Sequence, residues 1–259
     1  MFACWSYAGS SSPASSGRGP KLEETDSCLG KINSSWELTK LKFVTRDIID
    51  SEHKTAPTAP GGAYHIIRTS DVRDGELLLE QAQRTDQETY EEWTTRGRPS
   101  EGDLVFTREA PAGEVGYVPV DDSVLLGQRT VLIRPEQGTV KTRFLSFVLQ
   151  NTHLDEFIDI HSRGSIVRHL NVRDVKEIPV PLPEIEEQEV IADYLEKQDE
   201  YITILQNRIE SGIDLLQEKR QALITAAVTG QIDVTDWEPP EDDEPAPEPE
   251  AEPPKAVEP

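Results

Sequence analysis

The carboxylates of this sequence form the clusters that come nearest to a catalytic arrangement. One cluster lies between residues 155 and 159, and a second lies between residues 184 and 189. Paired carboxylates serve as general acids and bases or as metal ligands. In the first cluster, however, Phe157 and Ile158 separate the acids, which predicts the solvent-facing edge of an amphipathic helix. The second cluster is predicted to begin a helix, where negative charge complements the helix dipole.

The sequence also lacks the short motifs that mark common classes of enzyme. It contains no phosphate-binding loop, no paired-histidine zinc motif, no nucleophile elbow and no dinucleotide-binding glycine fingerprint. The five histidines are scattered, and Cys4 and Cys28 do not have metal-ligand spacing. We therefore expect a chain with no catalytic residues, metal or cofactor of its own. The enzymatic alternative is a site that is assembled only on folding.

The elements that would position any site are strands and helices in one mixed region at residues 36–183. Turn-forming residues separate its short apolar runs, as in strand-rich structure. Residues 48–49 are predicted to be helical, as is the segment 142–160, whose apolar residues have helical spacing. The predicted strands cover residues 64–72, 103–109, 116–120 and 129–135. The predicted fold class is α+β, with a strand-rich domain at residues 28–183 followed by a long helix that forms a coiled coil.

A proline-rich segment ends the mixed region, and an amphipathic helix follows it. Pro179, Pro181 and Pro183 lack a backbone N–H group, so no helix runs through them. Residues 184–234 contain no proline, and Gly230 is a suitable helix end. Apolar residues recur there with heptad spacing, which predicts a seam that packs against a partner helix. The seam residues are Ile191, Leu195, Ile202, Leu205, Ile209, Leu216 and Leu223.

The two ends of the chain have compositions that do not support a packed core. Residues 1–27 are predicted to be a disordered extension or a misplaced start, and residues 235–259 an acidic, Pro-rich tail. The chain has neither a secretory signal pattern nor an apolar stretch of membrane-spanning length, so we expect a soluble cytoplasmic protein. The net charge of −23 is typical of proteins adapted to a salt-rich cytoplasm.

Several segments, taken in order, resemble the specificity subunits of type I restriction-modification systems. The sequence CLGKINSSWELTKLKFV at residues 28–44 resembles the entry segment of a target recognition domain. Residues 164–195 resemble the domain exit, the proline-containing hinge and the Glu-Gln pair that opens a conserved helix. Residues 64–77, 102–119 and 218–233 resemble further parts of the family pattern. Together these segments span residues 28–234, and their order makes the resemblance specific.

The resemblance implies that the target recognition domain reads DNA sequence without catalytic activity. In the major groove, an arginine fork matches guanine and an asparagine side chain matches adenine. Arg96 and Arg98 lie in a basic loop that favours phosphate contact over base reading. The candidate DNA-binding residues are Arg68, Arg73, Arg96, Arg98, Arg108, Arg129, Arg163, Arg168 and Asn171.

The resemblance also implies partners. The family's usual subunit has two recognition domains and two conserved helices, whereas this sequence has one of each. It therefore resembles a half-subunit that forms a homodimer, pairs with another half-subunit, or is a nonfunctional fragment. The implied partners are double-stranded DNA, a methyltransferase subunit and a translocase/nuclease subunit, with no membrane. S-adenosylmethionine, ATP and Mg²⁺ would be used by those subunits. A different-class alternative is a self-associating coiled-coil scaffold with a protein-binding domain.

Overall fold

A computed structural model of the chain describes residues 20–120, 123–162 and 167–235. The molecule divides into two units, with the boundary between Gln198 and Asp199. Most of the predicted N-terminal extension and of the predicted tail lies outside the described residues. The first unit contains strands and helices, and the described part of the second unit is mainly helical.

The elements of the described residues give the first unit a mixed α and β architecture, which confirms the predicted fold class. The strands are β1 Leu22–Glu24, β2 Lys31–Asn33, β3 Glu37–Lys40, β4 Thr45–Asp50, β5 Tyr64–Ile67, β6 Val72–Arg73, β7 Glu76–Leu77, β8 Gln83–Thr85, β9 Leu104–Arg108, β10 Ala112–Tyr117, β11 Val124–Leu126, β12 Thr130–Pro135 and β13 Pro179–Leu182. The α-helices are α1 Gln87–Trp93, α2 Thr142–Leu149, α3 His153–His161, α4 Val172–Lys176 and α5 Ile185–Val228.

A four-stranded antiparallel sheet in the order β10-β9-β12-β4 is the centre of the first unit. Successive side chains of a strand point to opposite faces of the sheet. Leu104 and Phe106 accordingly pack in the cluster that contains α2 and α3 residues, and Val105 packs in a second cluster. The sheet is therefore buried on both faces, which explains why β9 and β12 each contain three consecutive apolar residues instead of an alternating pattern.

A second sheet, in the order β11-β5-β8, includes a parallel pair between β11 and β5. The predicted strand at residues 64–72 is interrupted, because β5 ends at Ile67 and a 3₁₀ turn follows. Asp71 makes this turn, since its buried carboxylate accepts the backbone N–H of Arg68 at 3.0 Å. Local side-chain capping of this kind competes with strand pairing. The predicted strand at 116–120 is also displaced, since β10 ends at Tyr117.

The prediction of a helix at residues 48–49 is wrong. Ile48 and Ile49 lie in β4, opposite Ile133 and Leu132 of β12. Pairing with a buried central strand decides the conformation of these β-branched residues, which suit a pleated surface. The prediction that residues 142–160 are helical is confirmed, but the segment is not one continuous helix. The segment forms two helices, because the Asn151 side chain accepts the His153 N–H at 3.0 Å and starts α3 anew.

The proline-rich segment forms β13, as the absence of a helix there predicted. Among the described strands, β13 pairs only with β3, and Pro179 and Pro181 occupy alternate positions of β13. Alternate prolines place the missing N–H groups on one side of the strand, so a two-stranded sheet accommodates them. The helix α5 begins two residues after Pro183. It ends at Val228, and Gly230 follows in a left-handed conformation with φ of 70°, as predicted for a helix end.

Candidate nucleic-acid interface

The register of the four-stranded sheet defines two ends, which carry different arginines. At one end of the sheet, β4 ends at Asp50 and β9 ends at Arg108, while β10 begins at Ala112 and β12 begins at Thr130. We call this the Arg108 end. At the other end lie Leu104, Tyr117 and Pro135, together with Arg134 of β12. We call this the Arg134 end.

Loops from several parts of the sequence meet at the Arg108 end. The Thr69 hydroxyl donates to the carbonyl of Ala110 at 3.0 Å. The Gly127 N–H donates to Ile67 at 2.7 Å, and Glu109 forms a β-bridge with His169. The segments around residues 68, 110, 128 and 169 are therefore neighbours, although they are far apart in the sequence.

Most of the predicted arginines are near this end, and nearly all of these are paired with a carboxylate. A neighbouring carboxylate holds a guanidinium in a fixed orientation through charge-assisted hydrogen bonds. The shortest N···O distances are 3.0 Å for Arg68–Asp71, 2.9 Å for Arg96–Glu52, 3.0 Å for Arg108–Asp50, 3.4 Å for Arg129–Glu109, and 2.8 and 2.7 Å for Arg168 with Asp155 and Asp159. The described residues of the free chain therefore do not present a bare basic patch here.

Arg108 differs from the other arginines because it is largely enclosed. Only 14% of its side chain is exposed, and it donates to the carbonyl of Leu170 at 3.2 Å. The Leu170 N–H in turn donates to the Arg108 carbonyl at 2.9 Å. Arg108 thus connects β9 to the segment that precedes α4, and its contacts are those of a structural residue.

Arg73 and Arg98 have no carboxylate partner within the described residues. Arg73 belongs to the β6–β7 hairpin, whose turn residues Asp74 and Gly75 both have positive φ. Arg98 lies at the Arg134 end, where its carbonyl accepts from Arg134 at 2.9 Å. Its guanidinium is 5.2 Å from the centre of the Tyr90 ring. The structure therefore separates Arg98 from the arginines of the Arg108 end.

The last two predicted DNA-binding residues are Asn171 and Arg163. The Asn171 side chain donates to Asp174 at 3.2 Å, so it caps α4 locally. Arg163 lies outside the described residues. Gln128, which was not among the predicted residues, precedes Arg129 in the turn before β12 and donates to the carbonyl of His53 at 3.1 Å. Its position between two apolar strands, next to an arginine, is the sequence pattern that identifies it.

At the Arg134 end, Arg134 and Asp103 form a tightly held ion pair. Arg134 donates to both carboxylate oxygens of Asp103, at 2.9 and 2.7 Å. This hydrogen bonding raises the pKa of Arg134, and Asp103 is only 3% exposed. The bidentate pair joins neighbouring strands of the sheet, which indicates a structural role.

The predicted seam residues of α5 are partly buried at the start of the helix and exposed farther along it. Ile191 packs against the core of the first unit, and Leu195 is half-buried. The other predicted seam residues are exposed by 37–68% of their surface. Ile213 and Ile224 are also exposed and follow Ile202 at intervals of eleven residues, a spacing that keeps them on the same helix face. The exposed apolar face is therefore wider than the heptad pattern predicted.

Two general features of the described residues bear on function. None of their groups of histidine, cysteine, aspartate and glutamate is arranged to hold a metal ion. Within the same ranges, each helix is too short or too polar to cross a membrane.

Comparison with known proteins points to one family. A model of the type I restriction modification DNA specificity domain matches residues 34–214. The chain is 25% identical over 167 residues to the specificity subunit of the type I restriction enzyme EcoBI of Escherichia coli, with 64% of this chain and 35% of that protein covered. It is 27% identical over 192 residues to the MjaIX specificity subunit of Methanocaldococcus jannaschii, with 70% and 41% covered.

Solved structures share the fold. The HsdS subunit from Thermoanaerobacter tengcongensis matches with a TM-score of 0.53 and 18% identity, over 78% of this chain and 46% of that chain. A chain from a study of complex assembly and conformational transition of the type I R-M system matches with a TM-score of 0.54 and 17% identity, over 79% and 51%.

The chain spans less than half the length of the two curated relatives described above. The family match nevertheless covers most of this chain, including nearly all of the strand-rich unit and part of α5. The matched residues also overlap the sequence segments, between residues 28 and 234, on which the resemblance was based. The chain therefore belongs to the type I restriction modification DNA specificity domain family.

Proposed function

We propose that this chain is the DNA-recognition component of a type I restriction-modification system. It directs methylation and restriction that partner subunits perform, and it has no catalytic role itself. The observation that carries this proposal is the family match over residues 34–214, which includes the loops that meet at the Arg108 end. S-adenosylmethionine, ATP and Mg²⁺ are used by the methyltransferase and translocase/nuclease subunits in the cytoplasm.

The ion pairs at the Arg108 end affect how DNA is bound. Binding that depends on phosphate contacts weakens steeply as salt increases, because counterions are released from DNA. Here the carboxylates that pair with Arg68, Arg96 and Arg129 repel phosphates and orient guanidinium groups. We therefore expect binding that depends on base contacts more than on phosphate contacts, and a shallow dependence of affinity on salt.

The exposed apolar face of α5 supports a half-subunit that works as a pair. A long helix with such a face is marginally stable in water without a packing partner. We propose that a second copy of this chain covers the face and forms a coiled coil. Two-fold symmetry would then place two recognition domains on DNA in opposite orientations, so that the target is an inverted repeat.

A DNA-binding assay tests recognition directly. The full chain, alone and co-expressed with a type I methyltransferase subunit, is titrated onto a randomised duplex library at several salt concentrations. We expect selection of one bipartite sequence. Binding of all sequences with equal affinity, or of no DNA in either preparation, would contradict the proposal and favour a protein-binding scaffold.

Methylation mapping tests the symmetric pairing. In cells that express this chain as their sole specificity subunit, we expect methylation at inverted-repeat sites. A methylated site whose two halves differ would contradict the symmetric pairing of two identical copies of this chain.

A further inference from the structure

We propose that the turn formed by Gln128 and Arg129 is the base-reading element of this domain, with Glu109 positioning the Arg129 guanidinium. This assignment rests on the proposed function, and it distinguishes Arg129, which reads DNA, from Arg68 and Arg108, whose contacts hold the neighbouring segments. It also adds Gln128, whose side chain has the amide group that matches adenine.

The turn is fixed on both sides by hydrogen bonds to neighbouring segments. The Gly127 N–H donates to Ile67 at 2.7 Å, and the Arg108 N–H donates to the Arg129 carbonyl at 2.9 Å. The Thr130 hydroxyl donates to the carbonyl of Gly127 at 2.8 Å. A Cβ atom on Gly127 would lie 2.7 Å from the Ile67 carbonyl oxygen. The turn therefore cannot move without breaking these contacts, which is the rigidity that a recognition site requires.

Arg129 itself has an unfavourable backbone conformation. Its φ is 69°, a left-handed value that costs a residue with a side chain free energy relative to glycine. Such conformations persist where the surrounding structure imposes them, and they are enriched at functional sites. Glycine would fit this turn better, so an arginine here is explained by what its side chain does.

The side chain is available and already oriented. About half of it, 53%, is exposed, and its Nε lies 3.4 Å from a carboxylate oxygen of Glu109, which is 35% exposed. An exposed pair at this distance is weak, so the guanidinium can exchange its partner for a guanine edge. Glu109 restricts the orientation of the fork before DNA arrives.

The neighbouring arginines are less suited to this task. Arg68 makes two hydrogen bonds to the carboxylate of Asp71, which is fully buried. Removal of Arg68 from that pair would leave a buried charge without its partner. Arg108 is enclosed, as described above. Among the arginines that the structure describes at this end, Arg129 is thus the one that combines exposure, a weak ion pair and a rigid turn.

The test uses the full chain co-expressed with its methyltransferase subunit and a randomised duplex library. The variants are Arg129→Gly, Arg129→Ala, Arg129→Lys and Gln128→Ala, with Arg46→Ala as a control. Arg46 is exposed and lies near the Arg134 end. Arg129→Gly is informative because glycine relieves the backbone conformation while it removes the side chain. We expect its Tm to be at least that of Arg129→Ala.

For Arg129→Gly, we expect a loss of discrimination of about tenfold to a hundredfold at one base pair of each half-site. Arg129→Lys should lose most of the same discrimination, because lysine keeps the charge without the planar fork. Gln128→Ala should relax an adjacent base pair, and Arg46→Ala should leave base preference unchanged.

Other outcomes would overturn the assignment. If Arg129→Gly weakens binding equally for all sequences, Arg129 contacts phosphate. If base preference is retained, Arg129 does not read DNA, and the proposed function still stands. If the unmodified protein has no sequence preference, the proposed function fails together with this assignment.

Discussion

Leucine and isoleucine side chains have opposite environments in the two units of this molecule. In the first unit, Leu132 and Ile133 of the central sheet are completely buried. In the second unit, Ile209 and Leu216 are 63% and 68% exposed. Because burial of apolar surface is the main favourable contribution to folding, the first unit contains its own source of stability. The described helix residues of the second unit lack this burial, and in the proposed pair a second helix would supply it.

The beginning of α5 shows the same contrast within one element. Gln188 and Ala192 are each 1% exposed, whereas none of the α5 residues beyond Gln198 is buried. Substitutions in the first unit and on the exposed face of α5 should therefore affect different properties of the protein. Changes in the first unit should lower the free energy of unfolding, and changes on the exposed face should lower self-association.

The largest expected effect is in the core of the first unit. Phe106→Ala removes a completely buried ring and should reduce the free energy of unfolding by about 3–5 kcal/mol, through lost burial and a cavity. Denaturation followed by tryptophan fluorescence measures this. A loss below about 1 kcal/mol would mean that the core of the first unit is not packed as described.

A charge on the exposed face of α5 should instead affect assembly. Leu216→Asp should weaken self-association by at least about 3 kcal/mol, or more than a hundredfold, because each of two copies loses a buried leucine. Sedimentation at several concentrations measures the dissociation constant. Asn207→Asp is the control, since nine residues place it on the opposite face of the helix. Equal effects of both substitutions would contradict the proposed seam.

Substitution of the buried glutamine of α5, Gln188, should have a smaller effect on the free energy of unfolding of the first unit. The Gln188 side chain accepts from the Lys141 N–H at 2.8 Å and donates to the carbonyls of Pro183 and Thr139 at 2.9 and 3.2 Å. Gln188→Ala should cost about 2–3 kcal/mol, because buried polar groups lose their partners.

Gln221, which is exposed in the same helix and lies off the apolar face, supplies the matched control for Gln188. Gln221→Ala should change the free energy of unfolding by less than about 0.5 kcal/mol. A similar cost for both substitutions would show that helix propensity, and not the buried hydrogen bonds, explains the loss.

The smallest effect concerns acid stability of the first unit. Hydrogen bonds from Lys40 and Lys42, at 2.5 and 2.6 Å, lower the pKa of Glu177 from 4.5 to about 2. A lowered pKa in the folded state means that this stabilisation is fully present above pH 4.5 and is lost as the pH falls toward 2.

Glu177→Gln should therefore lower Tm at pH 7, and its difference from the unmodified protein should shrink at pH 3. Thermal unfolding at the two pH values measures this. Glu200→Gln, at an exposed position of α5, is the control and should show no such dependence. A difference in Tm that grows at low pH would contradict the assigned ion pairs.

Local sequence patterns were sufficient for several parts of this structure. The apolar runs predicted β9 and β12, because strands buried on both faces leave a continuous apolar pattern. Prolines excluded a helix at residues 179–183, since they cannot donate the required hydrogen bonds. The long helix and the order of the family motifs were also readable, because both are properties of consecutive residues.

The tertiary structure alone decided features that depend on distant partners. Ile48 and Ile49 are in a strand because β12 pairs with them, and no local pattern contains that pairing. The sequence could propose a set of arginines, but their roles follow from partners such as Asp71, Asp50 and Glu109, two of which are distant in sequence. Ion pairing and burial depend on positions in space, so only the folded chain distinguishes an enclosed Arg108 from an exposed Arg129.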